Sequence, residues 1–137
     1  MLTNWKNAGS KVFLYSKRKD EAGKRLQRVV EAFVPGMNLE IYRNFKDLTL
    51  RLSQPGDPVD ISILMTGSKK ELSEFIGIRE LLSDIRIIIV LPDRTKGTIA
   101  TGHSFRPRFI TYADSDFVEV GAVLNRMLDH AYKNNLK

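Results

Sequence analysis

Short apolar runs alternate along the chain with longer stretches in which apolar residues recur every three or four positions. The first run, "KVFLY" (11–15), is nearly continuous, the mark of a strand covered on both faces. After the polar loop "SKRKDEAG", Ala22, Leu26, Val29, Val30 and Phe33 share one face of a helix, which Pro35 and Gly36 stop. "LEIYR" (39–43) alternates apolar and polar residues, as an edge strand does. Asn44 is placed to cap a second helix with Phe45, Leu48 and Leu52 inward, and "QPGDP" (54–58) is a turn cluster. A third strand covers 60–65. Ser68 and Glu71 then have the S-x-x-E spacing of a capping box, opening a helix that turns Leu72, Phe75, Ile76 and Leu82 inward. "IRIIIVL" (85–91) is the most apolar run and reads as a central strand; "FITY" (109–112) is the fifth. Asp116 and Glu119 repeat the capping-box spacing ahead of a last helix with Phe117, Val120, Leu124, Met127, Leu128 and Ala131 on one face.

Strand and helix alternate five times. That pattern requires right-handed crossovers and a mostly parallel sheet with helices on both faces. Five strands in a chain of 137 residues suit the flavodoxin-like α/β order 2-1-3-4-5, doubly wound. One domain is expected over 11–133, with an N-terminal extension at 1–10 and a tail at 134–137. The fourth helix must lie in "RTKGTIATGHSFRPR" (94–108) and is the weakest by pattern. Gly97 and Gly102 each cost about 1 kcal/mol relative to Ala inside a helix, so a short or frayed helix is expected.

Composition narrows the chemistry. Hydrophobic residues are 42% and charged residues 28%, an ordinary globular balance. The absence of cysteine excludes disulfides, thiolate zinc sites and a cysteine nucleophile. No apolar run approaches the roughly 20 residues that span a bilayer, and "MLTNWKNAGS" lacks a signal-peptide core, so no membrane association and a cytoplasmic location are expected. The net charge of +6 suits an acidic partner, an anionic ligand or nucleic acid.

In such a sheet, ligands bind beyond the carboxyl ends of the strands. The loops there read "SKRKDEAGK" (16–24), "TGSKK" (66–70), "PDRTKG" (92–97) and "ADSD" (113–116). "TGSKK" could cradle an anion: Gly67 admits close backbone approach, Ser68 opens a helix, and Lys17 and Lys69 add charge. It is equally an ordinary capped helix start. No G-x-G-x-x-G or Walker pattern is present. Asp93, Asp114 and Asp116 stand where turns and helix starts need carboxylates. His103 and His130 are far apart in sequence and have no Ser or Cys nucleophile motif beside them. Trp5 reads as surface packing in the extension; Tyr15 and Tyr42 read as core or edge packing.

In segment length, alternation and helix pattern the chain resembles the receiver domains of two-component response regulators, from Lys11 to Lys133. The likeness rests on architecture rather than on catalytic motifs. Receivers hold Mg²⁺ with an acidic pair after the first strand and accept phosphate on an aspartate ending the third. They place a Thr or Ser at the end of the fourth strand and a Lys at the end of the fifth. Here those positions are Ser16 and Lys17, Met65, Pro92 and Tyr112, with Ala113 where a proline usually follows. A thioether accepts no phosphoryl group. Lys17, Arg18 and Lys19 would repel a cation that wants hard oxygen ligands. The resemblance therefore implies an atypical, pseudo-receiver signalling domain: not an enzyme, with no cofactor and no metal, acting by protein–protein contact independently of phosphorylation.

In receivers, the surface of the fourth helix, fifth strand and fifth helix commonly makes dimer or target contacts. The matching segment here holds Arg94, Lys96, Arg106 and Arg108 and no carboxylate, which points to a partner with an acidic surface, or to a homodimer. An anion- or nucleotide-binding rim is the second reading and a nucleic-acid binder the third. The last has the charge but no helix-turn-helix, aromatic RNA-binding signature or basic amphipathic helix.

Overall fold

The computed structural model describes residues 10–17, 19–54, 56 and 58–135, the last six without their side chains. Trp5, Arg18, Ala131 and His130 as a side chain, and most of the extension and tail, lie outside the described residues. The elements run β1 (Val12–Ser16), α1 (Glu21–Phe33), β2 (Leu39–Tyr42), α2 (Phe45–Ser53), β3 (Ile61–Met65), α3 (Lys69–Ile76), β4 (Arg86–Leu91), α4 (Lys96–His103), β5 (Phe109–Tyr112) and α5 (Val118–Asn135). Short 3-10 turns occupy Gly36–Asn38 and Arg79–Leu82. All strands pair in parallel, in the order β2-β1-β3-β4-β5. This is the flavodoxin-like α/β arrangement.

Parallel pairing buries both faces, and the alternation of side chains sends each strand's residues to two cores. Val12, Leu14, Ile61, Ile63, Met65, Ile88 and Val90 pack with Leu26, Val30, Phe117 and Leu124 of α1 and the α5 end. Phe13, Tyr15, Leu64, Ile87, Ile89 and Leu91 pack with Leu48, Leu72, Phe75 and Phe105 on the opposite face. Each fully buried Leu, Ile or Phe contributes about 1.5–3 kcal/mol of transfer free energy, so the two layers hold the sheet. No helix among the described residues is long and apolar enough to cross a membrane.

Local sequence signals set most boundaries. Asp20, Asn44, Ser68 and Thr95 each cap a helix by accepting an amide three residues on. Two inward positions differ from expectation. α3 ends at Ile76, which is 39% exposed; Leu82 is buried from the separate 3-10 turn instead. Gly77 interrupts the helix and resets the angular phase, so one helical face cannot carry both residues. The start of α5 also differs: Asp116 accepts from the Val118 amide and Ser115 Oγ from the Phe117 amide, two residues on in each case, and no box forms with Glu119. Phe117 takes φ 66° to make this turn. At the edges, Ser10 is buried and its carbonyl accepts from Asn38 Nδ2, while α5 runs through Asn135. α4 is short, with eight residues, and buries Thr98 and Gly102.

Candidate functional site

The carboxyl ends of β1 and β3 meet α3 in a crevice that a buried carboxylate fills. Ser68 begins α3, which puts Glu71 in its first turn, facing back toward the strands. The Glu71 amide donates to Ser68 Oγ at 3.1 Å, one half of the capping box. The other half is displaced: Glu71 Oε1 accepts from the Gly67 amide at 2.6 Å, not from Ser68. Its second oxygen accepts from the Tyr15 hydroxyl at 2.7 Å and stands 3.6 Å from Lys17 Nζ. The Glu71 side chain is 8% exposed and that of Lys17 50%. Burial first, and then the hydrogen bond to Glu71, push the Tyr15 hydroxyl's pKa well above the usual tyrosine range. The Phe75 ring packs edge-on against Tyr15, with centroids 4.9 Å apart.

Beside this set, Ser16 pairs in register with Met65, and its hydroxyl donates to the Met65 sulfur at 3.5 Å. Met65 is fully buried on the α1/α5 face. Thr66, also fully buried, donates from both its amide and its hydroxyl to the Val90 carbonyl. The β3 end is therefore sealed by sulfur, hydroxyl and backbone groups that satisfy one another.

The ends of β4 and β5 form a second cluster. Arg94 donates two parallel hydrogen bonds to Asp114, at 2.8 and 3.0 Å, and its guanidinium lies 4.1 Å from the centre of the Tyr112 ring. The bond from Arg94 holds the Asp114 carboxyl below the usual range. Asp93 accepts from the Thr95 amide at 2.9 Å and its hydroxyl at 2.7 Å, which lowers its carboxyl in the same way. Asp116 caps the α5 turn. All three aspartates thus serve turns or a local ion pair, and no group of three His, Asp or Glu side chains is gathered as metal ligands among the described residues. No protein-family model matches the chain, and no curated protein matches it.

The residues singled out in the sequence therefore fall into three places. Lys17, Gly67 and Ser68 meet at the crevice, and Ser16 and Met65 pair beside it on the α1/α5 face. Lys69 leans toward α4, where a Cβ on Gly97 would stand 2.6 Å from its Nζ. Pro92, Arg94, Tyr112 and Asp114 line the small cleft at the β4 and β5 ends. Lys96 opens α4 at this same carboxyl end, whereas Arg106 and Arg108 precede β5 and lie at the amino end of the sheet. The four basic residues of 94–108 accordingly divide between opposite ends, because α4 runs antiparallel to the strands between them.

Sequence reasoning missed the Tyr15–Glu71 bond, since 56 residues separate its partners. It also missed Arg25. This α1 residue donates from Nε to the Ser115 carbonyl at 3.0 Å and from Nη2 to the Ala113 carbonyl at 3.2 Å, with its guanidinium 5.3 Å from the Phe117 ring centre. It ties the β5–α5 turn to α1, and nothing in its local sequence marks that role.

Proposed function

We propose that this chain is a receiver-like signalling or adaptor domain that works through protein–protein contact without aspartyl phosphorylation. The observation that carries the reading is the crevice at the β1 and β3 ends. A phosphoacceptor would stand at Met65, which is fully buried on the α1/α5 face with Ser16 bonded to its sulfur, and beside it the Glu71 carboxylate is bonded to Tyr15 and Gly67 and paired with Lys17. Glu71 is an internal anion, so a phosphoryl group entering there would meet a like charge and find the Gly67 amide taken. The same geometry weighs against an external anion on Gly67, Ser68 and Lys17.

Incubation with acetyl phosphate and Mg²⁺, followed by intact-mass measurement, tests the negative half; no base-labile phosphoryl adduct is expected on any strand-end aspartate. An adduct that disappears with Asp93→Asn or Asp114→Asn would overturn the reading. The positive half is tested by partner capture from the native cell with Arg94→Glu/Lys96→Glu, which reverses charge at the carboxyl end, beside Arg106→Glu/Arg108→Glu at the amino end. Arg28 and Lys24 serve as the control pair, since Arg25 is structural.

A further inference from the structure

A broad concavity lies at the end of the sheet opposite the crevice. It is a groove of about 550 Å³ between the 3-10 turn Arg79–Leu82 and the segment joining α4 to β5. Four arginines line it, Arg79, Arg86, Arg106 and Arg108, over an apolar floor that includes Leu82 and Phe105. Glu80 is the sole carboxylate in its wall, so four positive charges less one negative leave it three charges positive. Arg86 is steadied by a bond from Nη1 to the Met127 carbonyl at 3.4 Å. Among the described residues, the guanidiniums of Arg79, Arg106 and Arg108 have no hydrogen-bond or ion-pair partner.

Like charges drawn around one concavity repel, and here Glu80 alone among the lining residues offsets them. On the same rim the turn that ends α4 closes through the Arg106 amide, which donates to the His103 carbonyl at 2.9 Å. Arg106 takes φ 52°, a left-handed backbone that costs a non-glycine residue about 1 kcal/mol, where glycine or asparagine would be cheaper. A bound anion accounts for the gathered guanidiniums. The groove's size falls in the range of small-molecule sites, roughly 300–1,000 Å³, rather than that of a macromolecular interface. Guanidinium forks match phosphate oxygens two at a time. A phosphate monoester carries about −1.5 to −2 at neutral pH, so neutralising three positive charges takes two phosphate groups. We propose that this amino-end groove binds a small bisphosphorylated or diphosphate ligand of nucleotide size, with the arginines on the phosphates and the non-ionic part over Leu82 and Phe105. The inference is independent of the receiver-like reading and concerns a different end of the molecule.

The test is calorimetry at physiological salt with ADP, inorganic pyrophosphate and AMP as probes, and a glutamate-rich peptide as the acidic-protein stand-in. Saturable binding of ADP and pyrophosphate is expected, with AMP weaker by roughly tenfold or more. Arg79→Gln/Arg108→Gln should weaken ADP by about tenfold or more while keeping the unliganded melting temperature, each guanidinium–phosphate bond contributing a charge-assisted hydrogen bond. Lys17→Gln/Lys69→Gln, at the carboxyl end, should leave ADP binding unchanged. The single variants Arg79→Gln and Arg108→Gln carry the test if the double variant misfolds. Absence of heat with both ADP and pyrophosphate would overturn the proposal. So would binding that follows the lysine pair, or a glutamate-rich peptide that binds more tightly than pyrophosphate.

Discussion

Replacing Glu71 tests whether the filled crevice is a structural unit. Glu71→Ala removes a carboxylate that accepts from the Tyr15 hydroxyl at 2.7 Å and the Gly67 amide at 2.6 Å, and leaves that hydroxyl buried without an acceptor. Hydrogen bonds to charged groups contribute about 1.5–3 kcal/mol each, so two of them give about 3–6 kcal/mol. The half-exposed Lys17 adds at most about 1 kcal/mol. For a chain of 137 residues, an unfolding entropy of about 2.1 cal/mol/K per residue makes each kcal/mol about 3.5 °C of melting temperature. The expected fall is therefore about 10–21 °C by circular dichroism. Glu71→Gln keeps the shape but opposes one amide donor to another, and should cost about 2 kcal/mol, or roughly 7 °C. Tyr15→Phe leaves Glu71 its Gly67 and Lys17 partners and should cost about 1.5 kcal/mol. In the double variant Tyr15→Phe/Glu71→Gln the two costs should fall short of their sum, as for groups in contact. Strict additivity, or a Glu71→Ala protein melting within about 2 °C of the parent, would refute the account of the crevice.

Arg25→Ala should cost about 2 kcal/mol in urea unfolding, because two carbonyls of the β5–α5 turn lose their donor; an unchanged midpoint would show the turn holds itself. Gly97→Ala and Gly121→Ala should move the melting temperature in opposite directions. At Gly97 the added methyl meets only the mobile end of Lys69 and gains about 1 kcal/mol of helix propensity, whereas at Gly121 it would stand 2.7 Å from the Phe33 ring. Ser62→Ala should melt at or above the parent, since the buried Ser62 hydroxyl has no partner. Stability should fall as pH rises beyond about 10: Tyr15 keeps its proton in the folded chain while the unfolded chain releases it, so the folded state binds more protons and ∂ΔG/∂pH is negative. Tyr15→Phe should flatten that slope by up to about 1.4 kcal/mol per pH unit; an identical slope would contradict the burial of the hydroxyl.

The fold was legible because its signals are local. Helix caps at Asn44 and Ser68, the apolar run 85–91 and the stop at Pro35 each act within a few residues, and parallel topology follows from their alternation. Legibility failed where phase was broken by a turn. Ile76 sits at the helical spacing of Leu72, yet Gly77 ends α3 one residue later and the chain re-enters the core at Leu82. At Phe117 an aromatic adopts a left-handed backbone that sequence disfavours, held there by Arg25 from a helix some 90 residues earlier.

Charge was the least legible property, because a sum over the sequence hides where acids and bases meet. At the carboxyl end two basic residues are matched: Lys17 with Glu71, and Arg94 with Asp114. Arg25 spends its donors on backbone carbonyls of the same end. At the amino end Arg79, Arg106 and Arg108 meet Glu80 alone across the groove wall. The sequence offers Arg106 and Arg108 as neighbours of Arg94 and Lys96, but the eight-residue α4 carries the chain from one end of the sheet to the other between them. Arg79 reaches the same groove from the turn before β4 and Arg86 from the start of β4, a pairing with the β5 side that the β4–β5 register creates. A cluster of four arginines thus stands opposite the end where an open parallel sheet usually binds its ligands, while at the usual end the Gly67 amide is taken by the protein's own Glu71.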